Sequence, residues 1–323
     1  MSENVNTTTN GTEPWDCPSN PLAAKIGKTF AYCLIFLVSL CGNTVIGIIV
    51  CKTKTMRKPI NFFILNMALS DLLFPIFVIP RGIQMFFTDS WLIDGPLGQT
   101  FCKLVYFFSD VSLTVSIQSL VLIAVDRFGA VIFPLRSPLI SSKMCPFFML
   151  ATWVLAMAIY SPYLLGLQLI NHSGGLRCLM HWKEVFGESV PFEVYLLSII
   201  VVVLFIPWVL IAILYIIIYL KLKLRKIPGA QSANAETQRQ RRERNVLKMA
   251  IAIVLGFAAC LFPLAIHHIL RLFASDNIMI RSCGFEYFSS IVFLMSRVNC
   301  AINPCICFIF SRNYRDGLKT LAR

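Results

Sequence analysis

Seven long apolar runs separated by short polar segments set the pattern of this chain: roughly 29–51, 60–87, 101–133, 144–170, 190–220, 246–273 and 284–310. A helix needs about 20 mostly apolar residues to cross a bilayer, and every run meets that length. Several exceed it, so tilting or extension beyond the hydrocarbon is expected. No alternation of apolar and polar positions appears on the scale of a membrane barrel, which argues against one. Pro75, Pro80, Pro162, Pro207, Pro263 and Pro304 fall inside the runs. They predict kinks, which a membrane bundle tolerates because neighbouring groups satisfy the freed backbone. The first 28 residues are polar and lack a charged-then-apolar leader, so the first span is expected to direct insertion itself. Beyond Ser311 the chain predicts a short amphipathic helix with Tyr314, Leu318 and Leu321 on its apolar side.

Composition narrows the class further. The 323 residues are 57% hydrophobic and 14% charged, against roughly 25% charged in soluble domains, and the mean hydropathy is +0.73. Soluble enzymes, nucleic-acid-binding domains and disordered scaffolds are excluded. The net charge of +13 would suit a nucleic acid, but its distribution argues otherwise. With the N-terminus placed outside, 20 of the 29 Lys and Arg fall on the inner side against four acids. That is the positive-inside asymmetry of a membrane protein, and no nucleic-acid partner is needed to explain it. The acceptor sequons at Asn6, Asn10 and Asn171 fall on the same predicted outside. Of twelve cysteines, eight lie in or beside spans as apolar thiols. Cys17, Cys102, Cys178 and Cys283 lie on the outer, oxidising side, where disulfides persist and four cysteines allow three pairings.

Charged residues within the spans are few. Asp71 is the one acid in mid-span, Arg297 sits within the seventh run, and Asp126-Arg127 closes the third. Cys102 and Arg127 are separated by about 38 Å of helical rise, more than the ~30 Å core, so they mark opposite rims. An intramembrane ionisable residue is a functional candidate by default.

Short motifs recur in order along the spans: Gly42-Asn43; Leu65 to Asp71 reading LNMALSD; Trp91; Cys102; Asp126-Arg127-Phe128 followed by Pro134-Leu135; Trp153; Pro207 and Tyr215; Phe257 and Cys260-Leu261-Phe262-Pro263; and Asn303-Pro304. Together they resemble the rhodopsin-like (class A) G-protein-coupled receptors, most closely the peptide-receptor branch, over every span. The resemblance implies an all-α, seven-transmembrane receptor domain over 29–310. It places an extracellular tail at 1–28 and a cytoplasmic amphipathic helix at 311–323. It implies a plasma-membrane protein without enzymatic activity. Its partners would be an extracellular peptide-like ligand, a heterotrimeric G protein and membrane lipids, with no nucleic acid.

Residue roles follow from the same resemblance. A Cys102–Cys178 bridge would tether the second outer loop, and Cys17–Cys283 would tie the tail to the third. Arg127 would pair with Asp126 and, at rest, with Glu243 at the base of the sixth helix; Tyr215, Pro263, Asn303 and Pro304 complete the activation switch. Asp71, Ser116, Asn299 and Asn303 match the family's sodium site, whose oxygen donors suit a hard cation. No other cofactor is expected. The chain departs from the pattern at Leu261, where a tryptophan is usual, and at Cys307, where a tyrosine is usual, so Tyr215 lacks its customary phenolic partner.

For the ligand, amine receptors carry an aspartate where this chain has Ser109, with Asp110 beside it. Opsins carry a Schiff-base lysine where it has Arg297, which cannot form that bond. Gln84, Ser109, Asp110, His267, His268, Phe293 and Arg297 are the ligand-binding candidates, with Phe108 and Tyr287 as further lining. Arg297 has two readings: a contact to a ligand carboxylate or carbonyl, or an internal pair with Asp110, Glu286 or Asp71. The second outer loop is expected to form a β-hairpin, which favours a peptide ligand. The alternatives are a receptor for a lipid or small acid and, in a different class, a transporter or channel.

Overall fold

The computed structural model describes residues 22–88, 90–134, 138–172, 174–188, 191–224, 233–273 and 282–321, with side chains from residue 245 onward in the sixth of these segments. Helices occupy all seven apolar runs: α1 (Leu22–Lys52), α2 (Pro59–Gln84), α3 (Gly95–Ile132), α4 (Cys145–Gly166), α5 (Phe192–Leu224), α6 (Ala233–Phe273) and α7 (Cys283–Phe310). Each is long and apolar enough to cross a membrane; in α6 the qualifying part is Asn245–Phe273. The amphipathic helix α8 (Arg312–Leu321) follows. Two boundaries differ from expectation. α1 starts at Leu22 rather than 29, because polar residues such as Lys25 and Lys28 are good helix formers outside hydrocarbon. The run 144–170 leaves the helix at Gly166, where the chain turns into strand β1 (Leu167–His172).

The prolines show how an apolar environment is satisfied. Proline lacks an N–H, so the carbonyl four residues earlier loses its helical donor. Pro304 frees the Cys300 carbonyl, and Asn43 Nδ2 donates to it at 2.9 Å and Ser39 Oγ at 3.2 Å. Pro162 frees the Ala158 carbonyl, which accepts from Ser161 Oγ at 2.9 Å. Around Pro75, α2 consists of two segments, Pro59–Asp71 and Leu73–Gln84, and Ser39 Oγ reaches the Asp71 carbonyl at 3.4 Å. Ahead of Pro207, α5 widens into a π-helical turn at Ile200–Phe205. Such turns commonly absorb an interrupted ladder. α1 and α7 approach closely at Gly42, where a Cβ would stand 2.6 Å from Pro304 Cβ.

Burial sorts the helices. The apolar windows of α2 and α3 are 61% and 56% buried, those of α4 and α5 only 22% each. The outward faces of α4 and α5 therefore carry Leu150, Leu155 and Ile216 openly, which lipid accommodates as readily as protein does. The main core joins Ile46, Phe63, Leu120, Ile253, Phe257 and Cys307 toward the α8 end. A second cluster packs Trp91, Val111, Val115 and Tyr160 around the other half of α3. Across α2, α3 and α4, Asn66 Nδ2 donates to Ser119 Oγ at 2.9 Å and Thr152 Oγ1 at 3.0 Å, while Trp153 Nε1 donates to Asn66 Oδ1 at 2.9 Å.

The expected hairpin is present. β1 pairs antiparallel with β2 (Gly175–Met180), placing Leu169 opposite Cys178. Gly175 has φ +109°, and a Cβ there would lie 2.7 Å from Ser90, so both backbone and space require glycine. The Cys102–Cys178 disulfide ties β2 to α3. Gln99 clamps β1 from both sides, donating to Leu167 O at 3.0 Å and accepting from Leu169 N at 2.7 Å.

Candidate functional site

A cavity of about 410 Å³ lies at the hairpin end of the bundle, walled by α2, α3, α6 and α7 and bordered by Cys178, Leu179 and Met180 of β2. Five of the candidates line it: Ser109, Asp110, His268, Phe293 and Arg297. Two do not. The Gln84 amide instead donates to Ser90 O at 2.6 Å. His267 is 1% exposed and turned toward α7, with Nε2 3.0 Å from Ser289 Oγ and its ring stacked on Phe285. Since Ser289 Oγ donates to Phe285 O, His267 donates in this pair and clasps α6 to α7. Phe108 packs against Phe77 and Phe107, and Tyr287 is exposed.

Arg81 also lines the cavity, its guanidinium 4.5 Å above the Trp91 ring. Sequence reasoning passed over it, although the argument applied to Arg297 covers any arginine inside a span. Leu261 forms part of the floor and is buried. A leucine is smaller than the tryptophan usual there, and the cavity continues past it to Ser112, Asn299 and Asp71.

Arg297 stands on the α7 wall. Its Nη1 donates to Phe293 O at 3.0 Å and Ser296 Oγ at 3.1 Å, and its guanidinium sits 5.6 Å from the Tyr32 ring centroid and 5.4 Å from that of Phe293. Its Nε is buried without a hydrogen-bond partner. Among the described residues it forms no ion pair with any carboxylate, so the internal pair with Asp110, Glu286 or Asp71 does not form. Asp110 lies instead beside Tyr163, Tyr160 and Tyr195. A mid-bilayer guanidinium costs on the order of 2.5–3.5 kcal/mol on insertion scales, which ring contacts offset by only about 1–2 kcal/mol.

At the deep end of the cavity, Asp71 is 1% exposed. Its Oδ1 accepts from Ser116 Oγ at 3.0 Å and its Oδ2 from Asn303 Nδ2 at 2.6 Å. The side-chain oxygens of Asn43, Asn299 and Asn303 are buried with no hydrogen-bond partner. Of these residues Asn303 is bonded to Asp71 and Asn299 shares the cavity lining with it, and oxygens of this kind are the donors a hard cation takes. Among the described residues no group of three His, Cys, Asp or Glu could hold a metal ion.

At the α8 end, Arg127 forms an ion pair with Asp126. Glu243 belongs to α6, but its side chain lies outside the described residues. The Tyr215 hydroxyl is buried without a hydrogen-bond partner, and Cys307 is fully buried in the main core. Pro263 lies inside the continuous α6 and Pro304 inside the continuous α7. Tyr314 of α8 is fully buried and donates to Asn61 Oδ1 at 3.4 Å. Burial pushes its hydroxyl well above the usual phenol range, with the nearby Cys307 thiol adding to this, so it remains a neutral donor. Arg315 Nη1 caps α7 by donating to Phe308 O at 3.0 Å and Ile309 O at 2.7 Å. Asn171 is exposed in β1. Cys283 is disulfide-bonded; Cys17, Asn6 and Asn10 lie outside the described residues.

Residues 42–306 match the family described as 7 transmembrane receptor (rhodopsin family). The chain is 29% identical to a QRFP-like peptide receptor of Branchiostoma floridae over 307 residues, covering 93% of this chain and 78% of that protein. It is 26% identical to the Substance-K receptor of Homo sapiens, covering 100% of this chain and 78% of the relative. With the RYamide receptor of Drosophila melanogaster it shares 27% identity over 92% of this chain and 63% of that protein. The match and the seven apolar helices make the chain a multi-pass membrane protein.

Proposed function

From the premise that this chain belongs to the rhodopsin family of seven-transmembrane receptors, we propose that it binds an extracellular peptide in the hairpin-end cavity and activates a heterotrimeric G protein at the α8 end. The observation that carries this reading is the cavity itself. It lies beneath a β-hairpin held by a disulfide and a two-sided amide clamp, it is lined by charged groups, and it reaches down to Asp71. The Branchiostoma floridae relative is named a peptide receptor, which supports a peptide over other ligand classes. The glycan acceptors and the inner excess of basic residues orient the N-terminus outward and the C-terminus toward the cytosol of a plasma-membrane protein. Residues 1–28, 29–310 and 311–323 serve as tail, receptor domain and cytoplasmic helix, and the basic inner segments meet anionic lipid.

The mechanism follows from the two ends. Ligand seating draws the hairpin-end halves of α6 and α7 together around the cavity, and Pro263 and Pro304 are the points at which each helix bends. The resting state is held by Arg127, paired with Asp126 and, in this reading, with Glu243. Outward movement of α6 releases the guanidinium and opens a basic, apolar cleft for the G protein, with Tyr215 turning toward it. A sodium ion would be held by Asp71, Ser116 and the orphaned oxygens of Asn299 and Asn303. There it would neutralise a buried carboxylate and favour the resting state. The reading is tested by a calcium assay with chimeric G proteins and a library of amidated peptides. A saturable response that needs the receptor supports it; silence to peptides alongside ligand-evoked current or uptake without a G protein would overturn it.

A further inference from the structure

Arg297 carries a charge into the bundle and, among the described residues, forms no ion pair there. The carboxylates at hand are engaged elsewhere: Asp71 with Ser116 and Asn303, Asp126 with Arg127, and Asp110 among three tyrosines. The guanidinium spends Nη1 on its own helix, at Phe293 O and Ser296 Oγ. Nε is buried and has no partner, and the residue borders the cavity. The Tyr32 and Phe293 rings lie against it and the Tyr32 hydroxyl takes a further hydrogen bond from it, while Nε stays open to something that enters from outside. A planar five-donor fork in a site of low dielectric selects a carboxylate, which accepts two parallel N–H bonds and supplies the missing charge. We propose that Arg297 is a built anion subsite and that the activating ligand presents a carboxylate to it as the counter-ion that no described residue provides. The inference rests on reading the 410 Å³ cavity as the ligand site, and it separates this receptor from one whose ligand ends in a neutral amide.

The carboxylate has two sources, a peptide's free terminus or acidic side chain, or a free organic acid; the test distinguishes them. The first measurement uses N-acetylphenylalanine and N-acetylphenylalaninamide at millimolar concentration on the purified receptor. The two probes differ only in the group offered to Arg297, and the aromatic ring suits a wall containing Phe74 and Phe293. The acid is expected to raise the thermal midpoint by about 2 °C and the amide not to. Arg297→Gln is expected to remove the difference, and Arg297→Lys, which keeps the charge without the fork, to retain part of it. Equal shifts from acid and amide, or an undiminished acid shift in Arg297→Gln, overturn the inference. If Arg297→Gln yields no folded receptor, the acid–amide comparison on the wild type decides alone.

The second measurement runs matched free-acid and amidated peptides, and a panel of fatty and small organic acids, in the G-protein assay. Free-acid peptides are expected to be about tenfold or more potent than their amides, with that preference lost in Arg297→Gln. Activation by amidated peptides that is unchanged in Arg297→Gln sinks the anion subsite and leaves the peptide reading standing. Activation by organic acids alone, dependent on Arg297, keeps the subsite and replaces the peptide.

Discussion

The two ends of the bundle treat charge in opposite ways. At the hairpin end, Arg297 and Asp110 face a cavity, and Arg297 forms no ion pair among the described residues. At the α8 end, Arg127 is paired with Asp126, Tyr314 is buried against the bundle, and Arg315 caps α7. Between them lies Asp71, bonded to Ser116 and Asn303 at the deep end of the cavity. Unmet polar groups around a space favour whatever fills it, because each buried unsatisfied group costs free energy until partnered. Groups already paired resist change until the pair is broken. In the proposed reading one end receives and the other holds, and a messenger would act by satisfying the first at the expense of the second.

The comparison is broken most severely at the hairpin. Cys102→Ser releases a bridge spanning 76 residues, worth on the order of 4 kcal/mol in the chain-entropy account. A large fall in thermal midpoint and loss of ligand response are expected, the first by melting of purified receptor and the second by calcium assay. An unchanged midpoint would mean that the Gln99 clamp alone holds the hairpin. The centre is next. Sodium is expected to lower agonist affinity about tenfold, or about 1.4 kcal/mol, and Asp71→Asn to abolish that dependence. A sodium effect that persists in the variant removes the ion from this site. At the α8 end, Glu243→Ala is expected to raise ligand-free signalling a few-fold, by about 1 kcal/mol; unchanged basal activity would show that Asp126 alone restrains Arg127. The smallest effect is expected at Tyr314→Phe, about 0.5 kcal/mol, because the hydroxyl bond to Asn61 is long at 3.4 Å and the ring's packing is kept. A drop of several degrees would make that bond central to docking α8.

Much of the fold was legible because membrane helices announce themselves by length and apolarity. The hairpin forms, Asp126 pairs with Arg127, and Ser116 and Asn303 bond to Asp71. The ligand candidates were less legible. Gln84 and His267 occupy the right helices but turn to Ser90 and Ser289, whereas Arg81 faces the cavity unannounced. A shift of one residue rotates a side chain by about 100° around a helix, and apolar runs this uniform leave the facing undefined. The moment that betrays a surface helix is blurred when both faces are greasy.

The amino-acid order by itself determined how many times the chain crosses, where proline removes a helical donor, and which few charges enter hydrocarbon, since these depend on local composition and on proline's missing N–H. Only the tertiary arrangement decided which of those charges would meet a partner. Arg127 found Asp126 next to it in the chain, so their pairing was written locally. Arg297 needed a carboxylate from another helix, and the packing brings its neighbours' carboxylates to other hydrogen-bond donors instead.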